Sequence, residues 1–309
     1  MSRLMGEDIS SAASPPPMLL EPREVPLGGP RAMLVRRTLP HKQIRTVGAW
    51  CFVDHYGPES VRMHVPPHPH MGLQTVTWLL AGEVEHRDSV GSLQRILPGQ
   101  VNLMTAGRGI THSEYAVGPP VPMHGVQLWA ALTDEHRDCD PQFEHRADLP
   151  RVEQDGASAI VFTGTFAGAQ SPATVFSDLV GAELTCAGTS VWPLIPEYEY
   201  AVLALDHEVE VNGMRVPHGA LQYLGWGNAH LHLHSETPGR VMVLGGEPMA
   251  EDLLMWWNFV GRTHEEIVHA RQQYSELAPP FAPVVGDDSD MLPAPEMPMV
   301  ELRPRPPRR

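Results

Sequence analysis

The chain has 309 residues, 42% of them hydrophobic, enough to bury two cores of ordinary domain size. Its 22 Lys and Arg against 37 Asp and Glu give a formal charge of −15, which disfavours direct binding to a nucleic-acid backbone, because that binding draws on clustered cations. No run approaches the roughly 20 apolar residues of a membrane span, no apolar export segment follows Arg3, and Cys51, Cys139 and Cys186 form neither a C-x-x-C site nor a disulfide framework; a cytoplasmic protein with no membrane partner is expected.

Residues 1–30, with Pro15-Pro16-Pro17 and a second Pro/Gly cluster at Pro26 to Pro30, predict a disordered arm. Short apolar or β-branched runs follow: Thr75 to Leu80, Val101 to Met104, Val126 to Ala131, Ala159 to Phe162 and Tyr200 to Leu205. Gly, Pro and Asp punctuate them, a pattern of sandwiches or barrels rather than alternating strand and helix. Asn212-Gly213 between Glu208–Val211 and Met214–Val216 predicts a hairpin closed by a type I′ turn. Thr263-His-Glu-Glu266 reads as a capping box opening one helix over 263–275, with Trp256, Trp257 and Phe259 upstream to pack it on a barrel. From Pro279 prolines recur every few residues, so the tail 279–309 is expected to wrap the surface or to hang free.

The halves resemble one another. Gly82–Glu85, a turn and Arg95–Gly99 parallel His207–Glu210, a turn and Arg215–Gly219, and each half then reaches His-Ser-Glu, at 112–114 and at 234–236. The expected class is all-β, with two barrels of one type: 31–150, and 151–278 carrying the helix.

His68-Pro-His70 places two imidazoles at i and i+2, on one face of an extended segment, and His112-Ser-Glu114 does the same with an imidazole and a carboxylate. Converging inside a small barrel, the pairs would give three nitrogens and one oxygen. That set suits Fe, Mn, Co, Ni, Cu or Zn and leaves positions open for water or substrate.

His68 to Thr77, Glu85-His-Arg-Asp-Ser89, Met104 to Glu114, His124-Gly-Val-Gln-Leu-Trp129 and Asn258 to Ile267 closely resemble the signature of the pirin family, over roughly residues 30–275. The resemblance implies a bicupin, two cupin barrels packed together, with Fe(II) in the N-terminal one held by His68, His70, His112 and Glu114. Some pirins resemble quercetinases, which open a flavonol ring with dioxygen; others are described as nuclear, iron-dependent transcription co-regulators. Two functions follow as expectations. One is a metal-dependent dioxygenase acting on a flavonol or similar enolic aromatic, with Glu114 as both ligand and general base. The other is a non-catalytic regulator whose metal state alters a surface read by a protein partner. An open, apolar cavity favours the first and a blocked one the second. Many pirins carry glutamate where this chain has Gln74; a neutral amide there can orient a water or substrate oxygen but cannot act as a base, so substrate preference is expected to differ.

The remaining histidines are given bland roles. His230, His232 and His234 alternate with Leu231 and Leu233, which predicts an outward polar face. The same register places Pro193 and Ile195 at the positions of His68 and His70, so no second metal is expected. His64, His86 and His124 are read as structural, and Cys51 as core packing.

Overall fold

The computed structural model describes residues 14–27, 33–60, 63–118, 121–154 and 156–308. Each predicted strand coincides with an observed one, with only Leu205 and Glu208 falling one residue outside, and among the described residues one helix runs His264–Ser275. In the first barrel a seven-stranded sheet has the order Gln142–Arg146, Val101–Thr105, Leu73–Ala81, Met123–Ala131, Trp50–Glu59, Leu34–Leu39, Arg23–Pro26. It packs against a four-stranded sheet of His64–His70, Ile110–Ala116, Val84–Asp88 and Leu93–Ile96 through Val35, Tyr56 and Leu79 on one side and Val65, Val84 and Ile96 on the other. The second barrel is one ten-stranded sheet built on two long antiparallel strands, Leu179–Pro193 and His230–Gly246. The Asn212-Gly213 turn closes its hairpin with φ of 47° and 79°, the left-handed pair that a type I′ turn requires.

A shared core joins the barrels. Trp78 stacks on Phe162 with ring centroids 4.8 Å apart, and Trp50 meets the same ring edge-on at 6.5 Å. Both indole N–H groups are satisfied across the interface, Trp50 on the Val180 carbonyl at 2.9 Å and Trp78 on Glu183 at 2.6 Å. Buried tryptophans need such partners, so these bonds set the register of one barrel on the other. The helix begins where the capping box requires, with the Thr263 hydroxyl accepting from the Glu266 N–H at 3.2 Å. It buries Ile267, Ala270 and Tyr274 against Leu254, Phe259 and Phe281. Among the described residues no helix is long and apolar enough to cross a membrane.

The described part of the N-terminal arm departs from the disordered reading, and the tail takes one of the two courses expected of it. Residues 1–13 lie outside the described residues, but Met18–Leu20 adds a strand to the second barrel beside Leu221–Gly225, and Arg23–Pro26 pairs with Leu34–Leu39 of the first. The tail wraps. Phe281 is fully buried, a contribution of about 1.5–3 kcal/mol. Farther on, Asp287 accepts from Ser113 and Tyr115 at 2.6 Å each, the Leu292 N–H bonds the Pro67 carbonyl at 2.8 Å, and Arg305 pairs with Leu253. Proline suits such a strap because it brings no N–H that would need a partner.

The repeat is real at the level of pairing, but its His-Ser-Glu letters are out of register by three residues. In both halves a two-stranded hairpin docks on the strand carrying His-Ser-Glu. In the first, Glu85 faces Tyr115 and His86 faces Glu114; in the second, Glu210 faces His234 and Val211 faces Leu233. The places of His112 and Glu114 are therefore taken by Leu231 and Leu233, and a slip by an odd number of residues turns every side chain to the other face. By the same register Trp192 and Leu194, both buried in the second core, stand where His68 and His70 stand in the first, which corrects the assignment of Pro193 and Ile195. His230, His232 and His234 point outward with the leucines inside, as their alternation predicts.

Candidate metal centre

Two neighbouring strands bring the predicted residues together. His68 and His70 end the strand His64–His70; His112 and Glu114 lie on Ile110–Ala116, which runs antiparallel beside it with His112 directly opposite His68. A bulge between His112 and Glu114 re-aims that strand. The rings of His68 and His112 have centroids 4.3 Å apart, and His70 lies 5.0 Å from each. All four side chains are buried.

The four do not form one mutual cluster. Donor atoms of His68, His70 and His112 lie within 4.8 Å of one another, whereas Glu114 forms a second such trio with His112 and His86. His86 is the residue that sequence reasoning missed. It stands on Val84–Asp88, directly across from Glu114, and stacks on Phe143 at 4.3 Å.

The hydrogen bonds around the cluster leave nitrogens fit for a metal. The Nδ1–H of His68 donates to the Pro66 carbonyl at 2.9 Å, which leaves its Nε2 as a lone pair. Nε2 of His86 lies 3.1 Å from the Asp88 carboxylate and must donate to it. Nδ1 of His86 is then an acceptor and takes the Nδ1–H of His112 at 3.3 Å. His112 is thereby held in the tautomer whose Nε2 is unprotonated. That Nε2, like Nδ1 of His70, is buried with no hydrogen-bond partner. Buried imidazole nitrogens without partners are costly in an apolar interior, and a divalent ion would satisfy both. Burial pushes His68 down to about 4 and, with the neighbouring histidines, holds His70 and His112 well below the usual imidazole range. They are neutral at pH 7, the form that ligates. Burial raises Glu114, opposed by His86 and by the Thr77 hydroxyl, which bonds its Oε1 at 3.0 Å.

This chain of tautomers gives an expected result. Asp88→Asn keeps the shape and can keep the bonds that Oδ1 accepts from the Val90 and Ser92 N–H groups. It puts an amide N–H against His86, so His86 accepts there and donates to His112, and the displaced proton comes to rest on Nε2 of His112. Metal affinity, read by competition with a chelator, should fall about 10–100-fold. Unchanged affinity would mean that Asp88 sets no tautomer.

Gln74 is corrected. Along Leu73–Ala81 the odd residues Thr75 and Thr77 share the face of the cluster, and Gln74 points the other way. Its amide donates to Thr105 Oγ1 at 2.9 Å and to the Thr174 carbonyl of the second half at 3.1 Å. It reaches neither water nor substrate in the centre. The amide that does line the centre is Gln127, opposite Thr77 and 3.0 Å from its hydroxyl. Gln74→Glu is therefore expected to leave substrate preference alone and to lower stability by about 3 kcal/mol, since it buries a carboxylate against a carbonyl; denaturant midpoints and a substrate panel check both halves.

A cavity of about 430 Å³ opens above the cluster. Phe52 and Trp129 stack in its wall at 3.9 Å, with Trp257 among the other lining residues. Arg37 lies over Phe52 at 4.2 Å while bonding Asp54 through two 2.7 Å contacts. The arm contributes Pro26 and Leu27 to the lining, and the tail contributes Leu292. His64 packs on Tyr115, and His124 bonds His55 at 2.9 Å; neither lines the cavity. Cys51 is buried with its thiol pushed up to about 12, which leaves it unreactive at neutral pH.

Two antiparallel barrels in one chain, with a buried histidine cluster and its cavity in the first, define a bicupin. The pirin family profile matches residues 32–130 and that of the pirin C-terminal cupin domain residues 181–278; the chain belongs to the pirin family. It is 42% identical over 282 residues to a Pseudomonas aeruginosa protein provisionally named quercetin 2,3-dioxygenase, covering 89% of each chain. It is 39% identical over 255 residues to a pirin-like protein of Caulobacter vibrioides, covering 78% of this chain and 87% of that one. The crystal structure of quercetin 2,3-dioxygenase from Acinetobacter baumannii superposes with a TM-score of 0.89 at 39% identity, covering 93% of this chain and 97% of that one.

Proposed function

We propose that the chain is an Fe(II)-dependent dioxygenase of the quercetin 2,3-dioxygenase type, opening a flavonol or similar enolic aromatic with dioxygen. The observation that carries this is the cavity: about 430 Å³, walled by stacked aromatics and floored by the histidine cluster. That volume falls in the range of small-molecule sites. The similarity to proteins named for quercetin oxidation supports the same reading. A blocked cavity would have favoured the alternative, a non-catalytic iron-dependent regulator.

The proposed ligands are His68, His70, His112 and Glu114. A bound first-row ion supplies a Lewis acid for substrate oxygens and, if iron, a redox partner for dioxygen. The protein's own groups do the rest. The aromatic walls clamp a flat substrate, Leu27 and Leu292 shield the mouth from water, and Glu114 takes the enolic proton. Thr77 holds one of its oxygens, so the other is the oxygen that faces substrate.

The test is anaerobic reconstitution with Fe(II), then oxygen uptake with a panel of flavonols. Turnover that requires the metal supports the reading. An iron-loaded protein that consumes no oxygen with any flavonol would rule it out in favour of the regulator.

A further inference from the structure

A second groove, of about 520 Å³, shares no lining residue with the metal cavity. Its walls are the start of the strand Arg23–Pro26, the loop 40–46 and the end of the tail, and its floor is Leu253, Leu254 and Met255. Five of the six charged side chains lining it are always cationic at neutral pH: Arg23, Lys42, Arg45, Arg303 and Arg305. The sixth is Glu301, 3.4 Å from Arg303, and both are largely exposed. In a chain of formal charge −15 this is a local reversal of sign, and it acts on what enters the groove.

The groove is built rather than incidental. Arg305 and Leu253 exchange backbone bonds of 2.9 and 3.0 Å, and the Arg45 N–H bonds the Pro307 carbonyl at 2.7 Å, so the tail wall is fixed to both barrels' connecting segments. The guanidinium of Arg23 is positioned by the Pro40 carbonyl at 3.2 Å. The imidazole of His41, which also lines the groove, is held down by burial and then by Arg23 and Lys42.

We propose that this groove binds a small organic anion, a phosphate or carboxylate group carried on an apolar body. The oxyanion meets Arg23 and Lys42, and the body lies on Leu254, Met255 and Leu302. Charge alone would suit any anion; the apolar floor selects one with a hydrophobic part.

Phenyl phosphate, benzoate and inorganic phosphate titrated calorimetrically into the full-length protein test this. Phenyl phosphate or benzoate should bind, and whichever binds more tightly identifies the headgroup. The double variant Arg23→Gln/Lys42→Gln should weaken that binding about tenfold or more, the scale of a lost charge-assisted bond. Arg215→Gln, on an exposed arginine of the second-barrel hairpin, should change nothing. No binding of either aromatic anion, parent-like binding by the double variant, or equal weakening by Arg215→Gln would each overturn the proposal. So would inorganic phosphate binding as tightly as phenyl phosphate, because the floor would then select nothing.

Discussion

His112→Ala is expected to reduce bound metal from about one ion per chain to background. His112 belongs to both donor trios, the one with His68 and His70 and the one with His86 and Glu114. Without it each trio keeps two donors, too few to hold a labile first-row ion against water. His68→Ala separates the trios. It breaks the first and leaves the second whole, so elemental analysis of both variants locates the ion. Background metal in both places it among His68, His70 and His112. Metal kept in His68→Ala but lost in His112→Ala places it beside Glu114 and His86. Full occupancy in His112→Ala would show that the centre described here is not where the metal sits.

Glu114→Gln is expected to abolish oxygen uptake while some metal remains. A flavonol must lose its hydroxyl proton before the ring can react with dioxygen, and Glu114 is the one carboxylate lining the cavity. An amide keeps the bond from Thr77 and can still coordinate weakly, but it cannot accept the proton. The loss should lie in the chemical step: at least about 100-fold in kcat, the usual lower bound for a general base, with bound iron measured in the same samples. Parent-like turnover with iron in place would mean that another group takes the proton.

Much of this was legible before any fold was known, and the exceptions share a cause. Period-2 alternation and the Asn212-Gly213 turn are local signals, and they gave the strands and the hairpin. The spacings of His68-x-His70 and His112-x-Glu114 are local too. His86 was not legible as a centre residue because its importance lies in cross-strand register, opposite Glu114 and adjoining His112. The available clue was His86-x-Asp88, a second inward-facing i, i+2 pair. Gln74 was misread because the parity of its strand is set by Thr75 and Thr77, one step away. The slipped repeat failed similarly: matching letters, His-Ser-Glu, outweighed the alternation that buries Leu231 and Leu233. The arm and tail were read from composition, yet their order comes from contacts as distant as Asp287 with Ser113, which no local pattern encodes.

Asp287 grips Ser113 and Tyr115, the residues that alternate with His112 and Glu114 along a single strand. The cavity lining likewise draws on the two chain ends, Pro26 and Leu27 from one and Leu292 from the other. All of these end residues fall outside the stretches matched by the family profiles, 32–130 and 181–278. The histidine cluster and the residues that the two ends bring to its cavity thus lie on different lengths of polypeptide. For the same reason, trimming either end for convenience of expression alters the doorway of the site.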